Sequence, residues 1–207
     1  ETAENAMIFF KNGAPAYITK RFDVKDDGSK WGQEDFASLA QRTPQTHGED
    51  FKYVGNYLEL FKLLEKFTPA YIIEAIKLFR LILFNYLFSN GDAHYKNFSL
   101  LETPLGDYSL SPAYDLLNSK LHIEDKDFAL EDGLLPPNLA QARIKNQFFT
   151  LAKEAKINKQ QAVKVFEELT SKHDAVLTLI NASFLNEKSK KNYAQAYQTR
   201  LKKLVRS

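Results

Sequence analysis

Cysteine is missing from all 207 residues. Its absence excludes disulfides, thiolate metal sites and a cysteine nucleophile, and it fits a reducing, cytoplasmic setting. Histidine is scarce. His47, His122 and His173 stand far apart without metal-ligand spacing, so none of the three is assigned a site. The eight glycines form neither G-x-G-x-x-G nor G-x-x-x-x-G-K, so no phosphate-cradling loop is present. No sign of charge dominates either: 28 basic and 26 acidic residues leave a net +2, which by itself implies no polyanionic partner. Basic residues do gather late in the chain (Lys188, Lys190, Lys191, Arg200, Lys202, Lys203, Arg206), where a solvated helix face explains them more simply than nucleic-acid contact. The first ten residues lack the basic-then-apolar order of a signal peptide. The longest apolar region, Tyr71 to Phe88, is broken by Glu74, Lys77, Arg80 and Asn85 and reads as a buried helix rather than a membrane span. The chain opens on Glu1, as expected of a fragment or a trimmed product.

What is present suits a soluble α+β protein, mainly helical with small β elements. Hydrophobic residues make up 44% of the chain, and 16 Phe and 10 Tyr supply ample surface for a core. Met7 to Phe10 and Pro15 to Phe22 read as strands around an Asn12-Gly13 turn. A helix is expected over Glu34 to Gln41, then a loop over Thr43 to Gly55. Asn56 is placed to cap a helix reaching Phe67, and Pro69 opens the next, which runs to about Ser89. Short strands at Phe98 to Leu101 and Tyr108 to Leu110 flank the Thr103-Pro104-Leu105-Gly106 turn, and the pattern allows another strand over 121–130. Beyond Pro137 everything reads as helix: Leu139 to Ala155, Lys159 to Phe184 and Glu187 to Val205, with Asn158 and Asn186 as caps. Trp31 and the tyrosines read as core or surface anchors.

The chemistry concentrates in Asn90-Gly91-Asp92-Ala93-His94-Tyr95-Lys96-Asn97 and, later, Ser111-Pro112-Ala113-Tyr114-Asp115. An Asp and an Asn five positions apart suit phosphoryl transfer. The Asp can take a proton from an acceptor hydroxyl, the Asn oxygen can ligate Mg²⁺, and a later Asp can hold the same ion. Asn-Gly-Asp is also common turn chemistry. The ordered set of apolar helix, Asp92, Lys96, Asn97, short hairpin and Asp115 is harder to reduce to turns.

With its flanks Phe88-Ser89 and Phe98-Ser99, and with Tyr108 to Asp115, this set resembles the catalytic core of HipA-type toxin kinases. Ile18-Thr19-Lys20-Arg21-Phe22-Asp23 resembles that family's hinge strand, and Gln33-Glu34-Asp35-Phe36 a short motif that follows it. The resemblance spans about residues 7 to 130, and the helical tail matches only in type. It implies the C-terminal lobe of a protein-kinase-like fold: hinge hairpin 1–24, catalytic lobe with β-insert 25–135, and helical bundle 136–207. It implies Asp92 as catalytic base, Lys96 near the γ-phosphate, Asn97 and Asp115 as Mg²⁺ ligands, and ATP contacts from Lys20, Phe22, Asp23, Gln33 and His94. It also implies a serine/threonine kinase toxin, a helix-turn-helix antitoxin, and an aminoacyl-tRNA synthetase as the family's type of substrate.

A complete kinase also needs a glycine-rich loop and a strand lysine over the phosphates. Neither is here, and Lys20 matches the hinge instead. The N-terminal lobe is therefore expected elsewhere, in cis or in trans. Two readings stay open: the large lobe of an active kinase, or a non-catalytic module that docks a partner lobe or antitoxin.

Overall fold

A computed structural model describes residues 1–121, 126–140 and 143–205. In chain order the elements are strands β1 (Asn5–Phe9), β2 (Pro15–Thr19) and β3 (Gln33–Asp35), helices α1 (Phe36–Leu39), α2 (Pro44–His47), α3 (Tyr57–Phe67) and α4 (Tyr71–Leu87), and strands β4 (Ser99–Glu102) and β5 (Tyr108–Leu110). Helices α5 (Ile144–Glu154), α6 (Lys159–Thr170), α7 (His173–Ala182) and α8 (Glu187–Val205) follow. Short 3-10 turns occupy Tyr95–Asn97 and Ser119–Leu121.

The apolar stretch after Pro69 does form a buried helix. Along α4, Ala75, Leu78, Phe79, Ile82, Leu83, Tyr86 and Leu87 are all buried, while α3, α6 and α8 pack around it. Aromatic residues link the layers. Phe79 and Tyr86 both meet Phe148 of α5, Tyr86 stacks on Phe128 at 5.2 Å, and Tyr57 bridges Phe128 to Phe98 beside the Asp92–Asn97 segment. Helix α4 ends with Ser89 in the left-handed region (φ 55°). Asn90 N–H bonds back to the Asn85 carbonyl and Ser89 N–H to that of Tyr86, the paired bonds of a Schellman cap in which serine occupies the usual glycine position.

Several expectations change. Glu34 and Asp35 do not start the expected helix; with Gln33 they form a strand, paired antiparallel with β4 in the register Gln33↔Leu101 and Asp35↔Ser99. Only Phe36 to Leu39 are helical, with the Asp35 side chain accepting from Ser38 N–H as the cap. The strand is made by a partner more than sixty residues away in sequence, which no local periodicity encodes. Within the expected loop, Thr43 and Pro44 start the short helix α2 through a Thr43–Thr46 capping box. The helix expected from Leu139 begins only at Ile144. The one expected over Lys159 to Phe184 is two helices, broken at Ser171 and Lys172 without any Gly or Pro to announce it. Asn158 and Asn186 cap as expected, through Gln160 N–H and Ser189 N–H, whereas Asn56 makes no side-chain cap bond. In the region 121–130, Leu121 ends a 3-10 turn, 126–130 are not strand, and 122–125 lie outside the described residues, as do Arg206 and His122.

The basic tail is not uniformly solvated. Arg200 is 2% exposed, its guanidinium over the Tyr86 ring at 4.9 Å, ion-paired with Asp127 and donating to the Lys126 carbonyl at 2.9 Å. Helix α8 is thereby clamped to the turn that ends α4. In contrast, the β1–β2 hairpin leaves Met7, Phe9, Phe10 and Tyr17 exposed and touches the tail through Phe9 on Phe184. Among the described residues no helix is long and apolar enough to cross a membrane.

Because Leu83 is fully buried on the central helix, Leu83→Ala should cost about 2–5 kcal/mol of unfolding free energy, read from urea denaturation.

Candidate active site

The turn Ser89–Asp92 leaves α4 already rigid, and a second segment locks it. Asn90 Nδ2 donates to Asn85 Oδ1 at 3.1 Å and to the Asp115 carbonyl at 3.2 Å, while its Oδ1 accepts from Asp92 N–H at 3.2 Å. Ser119 Oγ accepts from Gly91 N–H at 2.7 Å and donates to the Ser89 carbonyl at 3.1 Å. A Cβ on Gly91 would meet that Oγ at 3.1 Å, a tight contact that Ser119 would have to yield to. Asp115 itself takes a left-handed φ of 54°, a conformation that Asp tolerates better than most residues.

These ties bring four of the expected site residues together. Asn97 Nδ2 hydrogen-bonds the Asp115 carboxylate, and Asn97 Oδ1 accepts from His94 N–H at 3.1 Å. His94 Nε2 stands 4.0 Å from Asp92 Oδ1. Asp92 and Asp115 face different spaces. Asp92 borders a cleft of about 1380 Å³ together with Asp50, Tyr53 and the 126–134 segment. Asp115 borders one of about 560 Å³ between the hairpin residues Tyr17 and Thr19 and the 113–117 segment. The first residues of the chain hold that second cleft in shape, since Ala3 N–H bonds the Ala113 carbonyl at 2.9 Å. Asn97 thus turns its amide nitrogen to the Asp115 carboxylate and its oxygen to His94 N–H. An amide and a carboxylate side by side are residue types whose hard oxygens Mg²⁺ accepts, once the amide turns its oxygen toward the ion. The residues present fit that ion.

The remaining candidates are more dispersed. Lys96 is exposed, and its carbonyl accepts from the Tyr114 hydroxyl at 2.8 Å. Lys20 and Phe22 lie past the end of β2. Lys20 N–H is engaged by the Glu4 carbonyl at 2.8 Å, and the Phe22 ring rests against Tyr114 with centroids 5.7 Å apart. Asp23 is buried and held by Arg21, whose guanidinium hydrogen-bonds the carboxylate and keeps it below the usual carboxylate range. Gln33 donates to Ser99 Oγ at 3.2 Å, and Ser99 bonds Tyr114 at 2.6 Å. Gln33 is thus joined to the Asp92–Asn97 loop by one relay, Gln33–Ser99–Tyr114–Lys96 carbonyl, against which Phe22 rests.

Residues set aside from sequence also take part. Tyr53, within the expected loop and read as an anchor, donates its hydroxyl to Asp92 Oδ1 at 2.7 Å. Asn90 was visible inside the motif but carried no role, and Ser119 gave no signal at all, because a serine bonding a turn 28 residues away leaves no local pattern. His94 is buried, and its Nδ1 has no hydrogen-bond partner among the described residues. Burial, and secondarily the charge of Lys52, push its pKa below 6.5, while Asp92 opposes them.

Comparison with known proteins adds a family. Residues 1–177 match the family model described as HipA-like C-terminal domain. Y4dM, a provisionally named kinase of Sinorhizobium fredii, is 32% identical over 162 residues, covering 78% of this chain and 37% of that protein. Y4mE of the same organism, named likewise, is 31% identical over 116 residues, covering 52% of this chain and 26% of its own length. The chain therefore spans between about a quarter and two fifths of the length of these relatives. Among solved structures, HipA of Shewanella oneidensis MR-1, determined with HipB and operator DNA, superposes with a TM-score of 0.67 at 19% identity, covering 97% of this chain and 50% of that one. The proinflammatory kinase CtkA of Helicobacter pylori gives 0.60 at 14% identity, covering 98% and 74%. At these identities the two structures share the fold.

Two measurements check the site. Ser119→Ala leaves Gly91 N–H without its acceptor and should lower unfolding free energy by about 1–3 kcal/mol in urea denaturation. The depressed pKa of His94 means the folded state prefers the neutral ring. Its contribution is complete above 6.5 and is lost as pH falls from there through the lower folded value. A His94→Gln variant should therefore lose less stability than the parent across that acidic window, read by thermal unfolding at a series of pH values.

Proposed function

The chain belongs to the HipA-like C-terminal domain family, and from that premise we propose that it is the catalytic lobe of a Mg²⁺/ATP-dependent serine/threonine protein kinase. Its parts would be a hinge hairpin over 1–24, a catalytic segment over 25–135 and a helical bundle over 136–207. The observation that carries this reading is the two-sided placement of the carboxylates. Asp92 opens on the large cleft and Asp115 on the hairpin cleft, with Asn97 and His94 between them.

Asp92 acts as general base. It takes the proton of an acceptor hydroxyl as that oxygen bonds to the γ-phosphorus and the bridging oxygen of the nucleotide leaves with its electron pair. Asn97 and Asp115 would hold Mg²⁺, which when bound offsets phosphate charge. Lys96, exposed three residues before the β4 strand, supplies a mobile positive charge toward the same phosphates. Neutral His94 packs beside Asp92 and limits water there. Lys20 and Phe22 border a separate cleft of about 380 Å³, where the Phe22 ring would offer the nucleotide an apolar face, while Asp23 and Gln33 hold the hinge in place through Arg21 and Ser99.

The full protein would add the phosphate-covering N-terminal lobe, in cis or in trans. We assign it to a toxin–antitoxin pair acting in the cytoplasm, with a DNA-binding antitoxin as partner and a protein acceptor such as an aminoacyl-tRNA synthetase. The support for the antitoxin is the Shewanella HipA fold, solved with HipB and operator DNA. A second reading, a module whose main task is to dock the N-terminal lobe or antitoxin, is favoured by the exposed apolar side chains Met7, Phe9, Phe10 and Tyr17 on the hairpin.

Full-length protein supplied with Mg²⁺, radiolabelled ATP and a protein acceptor should transfer phosphate, and Asp92→Asn should lower kcat by about 10²–10⁴-fold, the usual worth of a general base. Undiminished transfer by that variant would remove Asp92 from the role of base.

A further inference from the structure

Resting on Asp92 as the base, a second residue belongs to its chemistry. Asp92 Oδ1 accepts from the Tyr53 hydroxyl at 2.7 Å, and among the described residues Oδ2 has no donor. Tyr53 is itself fixed from several directions. Its N–H bonds the Asp50 carbonyl at 2.8 Å, and its carbonyl accepts from Glu131 N–H at 3.0 Å. Its ring meets His94 edge-on with centroids 5.1 Å apart, and Lys52 Nζ lies 5.0 Å from the ring centroid. Tyr53 and Asp92 together border the large cleft where an acceptor would enter.

Two other phenols brace the loop without touching a reacting group: Tyr57 donates to the Ala93 carbonyl at 2.7 Å and Tyr114 to that of Lys96 at 2.8 Å. We propose that Tyr53 is a positioning residue that occupies one carboxylate oxygen of Asp92 and so presents the other to the acceptor hydroxyl. A loose side chain could not do this, because a carboxylate on a single bond rotates freely unless one oxygen is pinned. The pin is available at all working pH values: burial, and then the bond to Asp92, push the Tyr53 hydroxyl up to about 12, so it remains a donor. The alternative, that the phenol plugs the acceptor position, fits less well, since both backbone groups of Tyr53 are tied in and the cleft beyond it stays open.

The test compares Tyr53→Phe with Tyr57→Phe in the full-length protein, measuring kcat, KM for ATP and for the acceptor, and thermal unfolding. Tyr53→Phe should lower kcat about 10- to 100-fold with each KM within about twofold, and with less loss of thermal stability than Tyr57→Phe, whose phenol is fully buried. In an Asp92→Asn background Tyr53→Phe should have no further effect on the residual rate. A kcat that is unchanged or raised in Tyr53→Phe, or one that merely tracks thermal stability in both variants, overturns the inference. Full activity in Asp92→Asn, or no phosphotransfer by the unaltered protein, defeats the base assignment and this inference together. Inactive Asp92→Asn beside undiminished Tyr53→Phe defeats this inference alone.

Discussion

The bond from Asn90 Nδ2 to the Asp115 carbonyl is the constraint on which the site depends, because it joins two turns that would otherwise be independent. One turn carries Asp92 out of α4; the other carries Asp115 past the β4–β5 hairpin. Each is conformationally costly, with Ser89 and Asp115 both in the left-handed region. Neither would hold such a backbone alone. Ser119 repeats the tie through Gly91 and Ser89, and the Asn97–Asp115 bond closes the circuit on the side-chain level. A carboxylate pair poised over two clefts is thus a product of turn-to-turn hydrogen bonding, with the helices serving as its anchor.

That anchor is α4. Its apolar face is buried on several sides, so its last turn cannot drift, and its Schellman cap delivers Asn90 in one orientation. The aromatic series from Phe79 through Phe148, Tyr86, Phe128 and Tyr57 to Phe98 carries this rigidity to the 3-10 turn bearing Asn97. Close-packed rings transmit displacement poorly absorbed by rotamer change, which is why such a path suits a site needing sub-ångström placement.

Much of this was legible from the chain alone, for physical reasons. Helix α4 and the Asp92–Asn97 spacing are local signals: an apolar run and a short motif. The candidate pair Asn97 and Asp115 met as their order suggested, because a short hairpin must return its ends to the same place. What escaped was non-local. Strand β3 exists through pairing with β4, Tyr53 finds its role across 39 residues, and Arg200 looked like one more surface cation until Tyr86 and Asp127 enclosed it. The break at Ser171 and Lys172 was missed because polar residues ended a helix without a proline or glycine.

Arg200 also sets an order in time. Its Nε lies 3.5 Å from Ser89 Oγ across 111 residues of sequence, and its other nitrogens hold Lys126 and Asp127. Chains are made from the N-terminus, and domains assemble as their segments appear. Asp92, Asn97 and Asp115 all leave the ribosome well before α8 does. Until that helix arrives, the turn behind Asp92 is held by its own bonds to Asp115 and Ser119 alone, without the buried clamp that Arg200 adds.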